Sequence, residues 1–206
     1  MKIILENIGK RFNKEWIFRK INYEFSMGNK YAVLGTNGSG KSTLLQIISG
    51  AMSATEGNIT FGSGITFENI FQKVAFASPF LELPEEMTWR EAVHFQGKFK
   101  EFVSDFSEEK IISLSGLESS ADKEIRNFSS GMKQRARLSL ALLSDAPLLL
   151  LDEPSTNLDE NALKWYKNLM SEFAKEKLVI VCSNYNKAEY SFCNEEFEFG
   201  KNQINI

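Results

Sequence analysis

Two observations predict an α/β chain. Short apolar runs alternate with segments of helical periodicity along most of the length. One run, Leu148 to Leu151, is four consecutive leucines, the pattern of a parallel strand buried on both faces. The expected sheet is parallel or mixed, with an antiparallel β part near the N-terminus and a helical insert in the middle of the chain.

Ile3 to Ile8, Ile21 to Phe25 and Tyr31 to Leu34 read as strands. Ile21, Tyr23 and Phe25 alternate with Asn22 and Glu24, so that strand has one wet face. Lys41 to Ser49 reads as a helix stopped by Gly50. Asn58 to Phe61 and Val74 to Ala77 are further strands. Pro79 and Pro84 then break regular structure. Thr88-Trp89-Arg90-Glu91 forms a capping box, with Thr88 as N-cap and Glu91 three residues on. Trp89, Ala92, Val93, Phe99, Phe102 and Val103 follow at mostly helical spacing, and a second helix runs from near Ser107 to Gly116. The insert is accordingly 79–128, and the core is 1–78 with 129–206.

The core resumes with a helix from Met132 to Leu143, ended by Asp145-Ala146-Pro147. After the leucine strand, Ala162, Trp165, Tyr166, Leu169, Met170 and Phe173 recur at helical spacing. Leu178 to Val181 is another buried strand. Glu195 to Phe199, Gly200-Lys201-Asn202 and Gln203 to Ile206 read as a terminal hairpin.

With 206 residues, 43% of them hydrophobic and 25% charged, the chain can bury a full core without disulfides or metals. No apolar stretch approaches the ~20 residues of a membrane span. The first acid, Glu6, comes too early for a signal peptide. The net charge of −3 supplies no basic field, so no nucleic-acid partner is expected. Cys182 and Cys193 lack metal-ligand spacing and read as reduced thiols of a cytoplasmic protein.

Gly35-Thr36-Asn37-Gly38-Ser39-Gly40-Lys41-Ser42 fits the phosphate-loop pattern and stands between a strand and a helix, the context it needs. Its glycines let successive N–H groups turn toward phosphate oxygens, and the helix N-terminus beginning at Lys41, Ser42 and Thr43 adds a positive dipole end. Lys41 is placed to reach the β- and γ-phosphates, and Ser42 to ligate Mg²⁺. The fold class is thus a P-loop NTPase core.

Asp152 and Glu153 follow the leucine strand. Ligands of parallel sheets bind beyond the carboxyl ends of the strands, which puts both acids near the phosphate loop. Asp152 is the candidate Mg²⁺ ligand and Glu153 the candidate for polarising the attacking water.

Between these motifs, Phe128-Ser129-Ser130-Gly131-Met132-Lys133-Gln134-Arg135 opens a helix with serines and a glycine, a second anion site. With this third motif the chain resembles the ATP-binding subunits of ABC transporters over nearly its whole length. Gly35 to Ser42 matches that family's Walker A motif and Leu149 to Glu153 its Walker B motif. Ser129 to Arg135 is similar to its signature, and Pro154 to Asp159 to the loop ending in Leu-Asp. The resemblance implies a head-to-tail dimer, with itself or a paralogue, in which Ser129 and Gly131 contact the γ-phosphate of ATP held by the other subunit. It also implies adenine stacking by Phe12, 23 residues before Gly35, with Trp16 as the alternative.

Three departures from the family pattern stand out. Asn184 occupies the place of the usual switch histidine; the single histidine, His94, lies upstream in the insert. The glutamine that usually ends the strand entering the insert is missing, and Pro79 is assigned its position. The signature carries Ser130 for a glycine and Met132 for a glutamine. ATP and Mg²⁺ binding is therefore expected, with slow hydrolysis. An Asn amide donates a hydrogen bond but cannot act as acid or base as imidazole does.

The resemblance makes the chain an ATPase on the cytoplasmic face of the membrane. It would drive a separate membrane-spanning subunit, of exporter type by the form of the signature. Phe80, Leu81 and Leu83 are candidate contacts for that partner. The alternatives are an ATP-controlled dimerisation switch that hydrolyses little and a soluble ABC ATPase without a transport role.

Overall fold

The computed structural model describes residues 1–62, 64–103 and 106–200. Two long strands, β1 (Lys2–Phe12) and β2 (Glu15–Ser26), open the chain, followed by β3 (Lys30–Leu34) and α1 (Lys41–Ile48). Then come β4 (Glu56–Phe61), β5 (Val74–Ala77), α2 (Trp89–Phe99) and α3 (Glu108–Ser115). The C-terminal half holds α4 (Ser130–Leu142), β6 (Leu148–Asp152), α5 (Glu160–Phe173), β7 (Leu178–Ser183), α6 (Lys187–Tyr190) and β8 (Glu195–Glu198).

Local chemistry sets many of these limits. Thr88 and Glu91 form both bonds of the capping box that starts α2. Ser107, Ser129 and Asp159 cap α3, α4 and α5 with side-chain oxygens. Gly116 ends α3 at φ 65°, a left-handed stop. α2 stops at Phe99, short of the predicted apolar series. Phe99 is exposed, and Phe102 instead bridges to Ser144.

The strands form two sheets. The first is antiparallel with order β2-β1-β4. The second is parallel throughout, with order β5-β6-β7-β3-β8. The first strand of the expected terminal hairpin is β8, whose Glu195 to Glu198 lie parallel to β3, pairing with Tyr31 to Leu34. The other strand of that hairpin lies outside the described residues.

Alternation along the parallel strands divides the interior in two. Leu149, Leu151, Val179 and Val181 face a core built with Trp89, Ile111, Leu138 and Tyr166 from the helices. Leu148, Leu150, Ile180 and Cys182 face a second core with Leu44 and Ile47 of α1 and Ile3, Leu5, Phe18 and Phe25 of the antiparallel sheet. With helices or strands covering both faces, the four leucines of β6 have no polar side to show.

Lys177 illustrates how the C-terminus of α4 is satisfied. Its buried ammonium donates to the carbonyls of Leu142 (3.0 Å) and Ser144 (2.6 Å). Burial holds its pKa down to about 8, opposed in part by the charge of Asp145. Between about pH 8 and the ordinary lysine value of 10.5, the unfolded chain keeps a proton that the folded chain releases. Stability therefore rises with pH across that window. Urea denaturation should show wild type gaining stability relative to Lys177→Met between pH 7.5 and 9.5; a constant difference would contradict the depressed value.

Candidate functional site

The parallel register brings four strand ends together. Leu34 pairs with Ser183, Asp152 with Cys182, and Ala77 with Leu151. The residues that follow each strand therefore emerge side by side at the carboxyl edge of the sheet, where parallel α/β sheets hold ligands. A cleft of about 370 Å³ opens there, lined by Ile17, Asn37, Gly38, Gly40, Lys41, Ser42, Thr43, Phe80 and Glu153.

The phosphate loop is shaped by its own bonds. Lys41 Nζ donates to the carbonyls of Gly35 and Thr36, both at 2.9 Å, so its ammonium lies folded against the loop. Gly40 precedes α1 at φ 98°, and a Cβ there would stand 2.7 Å from Ile17 and 2.8 Å from Phe18. Only glycine meets both demands.

Asp152 is 1% exposed at the end of β6. Its Oδ2 accepts from Ser78 Oγ at 3.2 Å, while its Oδ1 is buried with no hydrogen-bond partner among the described residues. Ser39 Oγ on the phosphate loop is likewise buried and unpartnered. Burial raises the Asp152 carboxyl above its ordinary value, and the Ser42 and Ser78 hydroxyls and the Lys41 ammonium pull it back in part. An unpartnered carboxylate oxygen and a nearby hydroxyl are hard oxygen donors, so this pair fits Mg²⁺ completed by phosphate oxygens. Among the described residues, no group of three or more His, Cys, Asp or Glu converges to cage a metal by protein ligands alone.

Glu153 lines the cleft in the left-handed region, at φ 43°. Its N–H donates to the Cys182 carbonyl at 2.9 Å and its carbonyl accepts from Thr156 N–H at 3.1 Å. A non-glycine residue in this region carries strain that its surroundings must hold.

The remaining predicted residues are not among those lining this cleft. Phe12 is exposed at the tip of the β1–β2 hairpin, with Lys10 over its ring. Trp16 is covered by the guanidinium of Arg19 at 4.1 Å, itself held by two 2.8 Å bonds to Glu56. Ser129 is exposed at the start of α4 and caps it through Met132 N–H. Gly131 lies against the loop after Glu153: a Cβ there would sit 3.0 Å from the Asn157 carbonyl. Asn184 is exposed just past β7. His94 is exposed on α2, paired with Glu108.

Two site residues escaped the sequence reading. Ser78, not Pro79, is the residue that reaches Asp152. Since Ala77 pairs with Leu151, the next residue on each strand must be a neighbour, and counting from the strand end would have found it. Phe80, expected among partner contacts, lines the nucleotide-side cleft while 79% exposed. Leu81 and Leu83 instead line a separate groove with Phe76, Lys100, Arg137 and Leu140.

A parallel sheet with a phosphate loop at one strand end, an acidic pair at another and a capped helix bearing serines defines a P-loop nucleotide hydrolase. The sequence matches the ABC transporter family over residues 18–156, and the chain belongs to that family as an ATP-binding ATPase cassette. It is 29% identical to YybJ, an ABC transporter ATP-binding protein of Bacillus subtilis strain 168, over 96% of this chain and 92% of that protein. It is 28% identical to the lantibiotic transport ATP-binding protein SrtF of Streptococcus pyogenes, over 90% of this chain and 80% of that one. Nod factor export ATP-binding protein I of Rhizobium johnstonii is 30% identical over 93% of this chain, which spans 64% of its length. In fold, the chain is similar to the dimeric ATP-binding cassette MJ0796 bound to ADP and Pi, with a TM-score of 0.82 at 21% identity, covering 98% of each chain. Among the described residues, no helix is long and apolar enough to cross a membrane.

The two positive-φ glycines Gly40 and Gly28 separate strain from crowding. A Cβ at Gly28, φ 84°, meets nothing within 4 Å. Gly28→Ala should cost about 1 kcal/mol from backbone strain alone. Gly40→Ala should cost clearly more by urea denaturation and weaken ATP binding. Equal costs would mean that Ile17 and Phe18 move aside freely.

Proposed function

We propose that this chain hydrolyses ATP to energise a separate membrane-spanning subunit of an exporter-type transporter, at the cytoplasmic face of the membrane. The observation that carries this reading is the convergence of Lys41, Ser42 and Glu153 on one cleft above the buried Asp152. The relative named for lantibiotic transport supports a transport role, and the one named for Nod factor export supports the direction.

In this reading residues 35–43 cradle the phosphates: Gly35, Thr36, Asn37, Gly38, Ser39, Gly40, Lys41, Ser42 and Thr43. The Lys41 ammonium leaves the loop carbonyls for the β- and γ-phosphates. Ser42 and Asp152 would hold Mg²⁺, which would supply positive charge to offset that building on the phosphate oxygens. Glu153, at the cleft wall, orients water toward the γ-phosphate. Phe12 rather than Trp16 stacks on adenine, because Phe12 is exposed and Arg19 already covers Trp16. Ser129 and Gly131 serve the ATP of a second subunit in a head-to-tail dimer, which explains why they lie outside this cleft. The segment 79–128 forms the helical part, and its groove at Leu81 and Leu83 receives the membrane partner.

Asn184 and Ser78 stand where the family usually has an imidazole and an amide. Both replacements shorten or neutralise a group near the γ-phosphate, so turnover is slow, by about a hundredfold for one lost transition-state donor. The same two residues favour the second reading, an ATP-controlled dimerisation switch. Steady-state ATPase measurements separate the two. Glu153→Gln should lower kcat by about a hundredfold or more while ATP still binds, and Lys41→Ala should abolish binding in a titration. Asn184→His should raise kcat. If wild-type turnover does not exceed that of Glu153→Gln, while ATP still drives dimerisation in sedimentation, the switch replaces the transporter motor.

A further inference from the structure

Glu189 is a buried carboxylate that the scheme above leaves without a task. It sits on the four-residue α6 and is 3% exposed. Its Oε1 accepts from Ser155 twice, from the hydroxyl at 2.7 Å and from the backbone N–H at 3.3 Å. Its Oε2 accepts from the Ser183 hydroxyl. The direction of these bonds is fixed by their neighbours. Asn186 donates to both serine hydroxyls, through Nδ2 to Ser155 Oγ at 2.9 Å and through its N–H to Ser183 Oγ at 3.1 Å. Ser155 therefore has its proton free to give to Glu189, and Ser183 gives its own to Glu189 in preference to the Asn186 carbonyl, which lies farther off at 3.5 Å. The carboxylate collects three donors, which suits its ionised form despite burial. Burial pushes this carboxyl up, and the serine donors hold it down in part.

The two serines it joins belong to the loop that follows Glu153 and to the end of β7 before Asn184. Ser155 is two residues past Glu153, and Ser183 immediately precedes Asn184. Their backbones are unusual: Glu153, Asn157 and Tyr185 all have positive φ, at 43°, 63° and 58°. Such residues persist only where the surroundings over-determine them. The loop after Glu153 is held from the other side too, since buried Gln134 of α4 donates to the Pro154 carbonyl at 3.0 Å. Residues 153 to 156 are thus tied in succession: to Cys182, to Gln134, to Glu189, and back to Glu153.

We propose that Glu189 is a positioning residue for ATP hydrolysis, holding the strained backbone of Glu153 and the end of β7 before Asn184 at a fixed spacing through Ser155 and Ser183. This rests on the reading that Glu153 orients the attacking water. Glu189 touches no reacting atom, and nucleotide affinity, set by the phosphate loop, does not depend on it. Misplacing a catalytic group by a fraction of an ångström lowers the chemical step without loosening the substrate.

The test compares wild type with Glu189→Gln, Ser155→Ala and Ser183→Ala in steady-state ATPase assays, with ATP affinity measured by titration and folding by thermal melts. Glu189→Gln keeps the shape but puts an NH₂ where only acceptors fit. It should lower kcat about tenfold with the ATP Kd unchanged within twofold, and the two serine variants should lower kcat in the same direction by less. The double variant Glu189→Gln/Ser155→Ala should lose less than the product of the single losses, since both act through one contact. An unchanged kcat in Glu189→Gln, or losses of kcat, affinity and thermal stability that run in parallel, would overturn the proposal. The serine variants keep the test decisive if Glu189→Gln folds poorly: normal kcat in both would also overturn it. If Glu153→Gln itself hydrolyses ATP normally, the reading of the cleft fails instead, and that outcome is seen separately.

Discussion

Burial of the parallel sheet on both faces is the constraint from which the cleft follows. β3, β6 and β7 show no polar face, so their side chains must alternate between two apolar cores and cannot slip by one residue without exchanging them. That fixed register aligns Leu34, Asp152 and Ser183 at the same edge. The phosphate loop, the acidic pair and the Ser183–Asn184 corner then emerge together because the strands end together. A shift along any one strand would separate chemistry that the sequence keeps more than a hundred residues apart.

The site built on this edge is rich in carboxylates. Asp152 and Glu189 both feel the charge of Glu153, Asp152 also that of the Lys41 ammonium, and Asp152 and Glu189 are buried. Glu189 is satisfied by serine donors, and Asp152 only in part, since one of its oxygens lacks a partner among the described residues. The difference matches their assigned tasks. A carboxylate that holds backbone in place gains from full hydrogen bonding. One that takes a divalent cation must keep an oxygen for it, and the cation then offsets the burial that raises its pKa. Lys41 is likewise held by carbonyls that phosphate oxygens, bearing full charge, can outcompete.

Much of this was legible before the fold was known, for reasons tied to particular residues. The Thr88 and Glu91 capping box and the Gly116 stop are local hydrogen-bonding and φ requirements, and they set helix ends as read. Val74–Ala77 is a short apolar run closed by a proline two residues on, and it is β5 as written. The phosphate loop is a contiguous octapeptide in a strand–helix context. What was not legible involves distant partners. The terminal strand β8 pairs with β3, more than 160 residues away, a neighbour that no local pattern names. Ser78 displaced Pro79 at the site because of a pairing with Leu151 that no local pattern reports.

The sequence by itself determined the helices, the apolar strands, the phosphate loop and the order of the motifs. Propensity, capping and periodicity act over a few residues and are written in them. Only the tertiary structure decided which polar side chains meet: Ser78 with Asp152, Gln134 with Pro154, and Glu189 with Ser155 and Ser183. These contacts span separations from 6 to 74 residues and depend on strand order and register. A buried hydrogen bond forms where geometry brings donor to acceptor, and a lone serine or glutamate in a sequence carries no mark of the partner that the fold will supply.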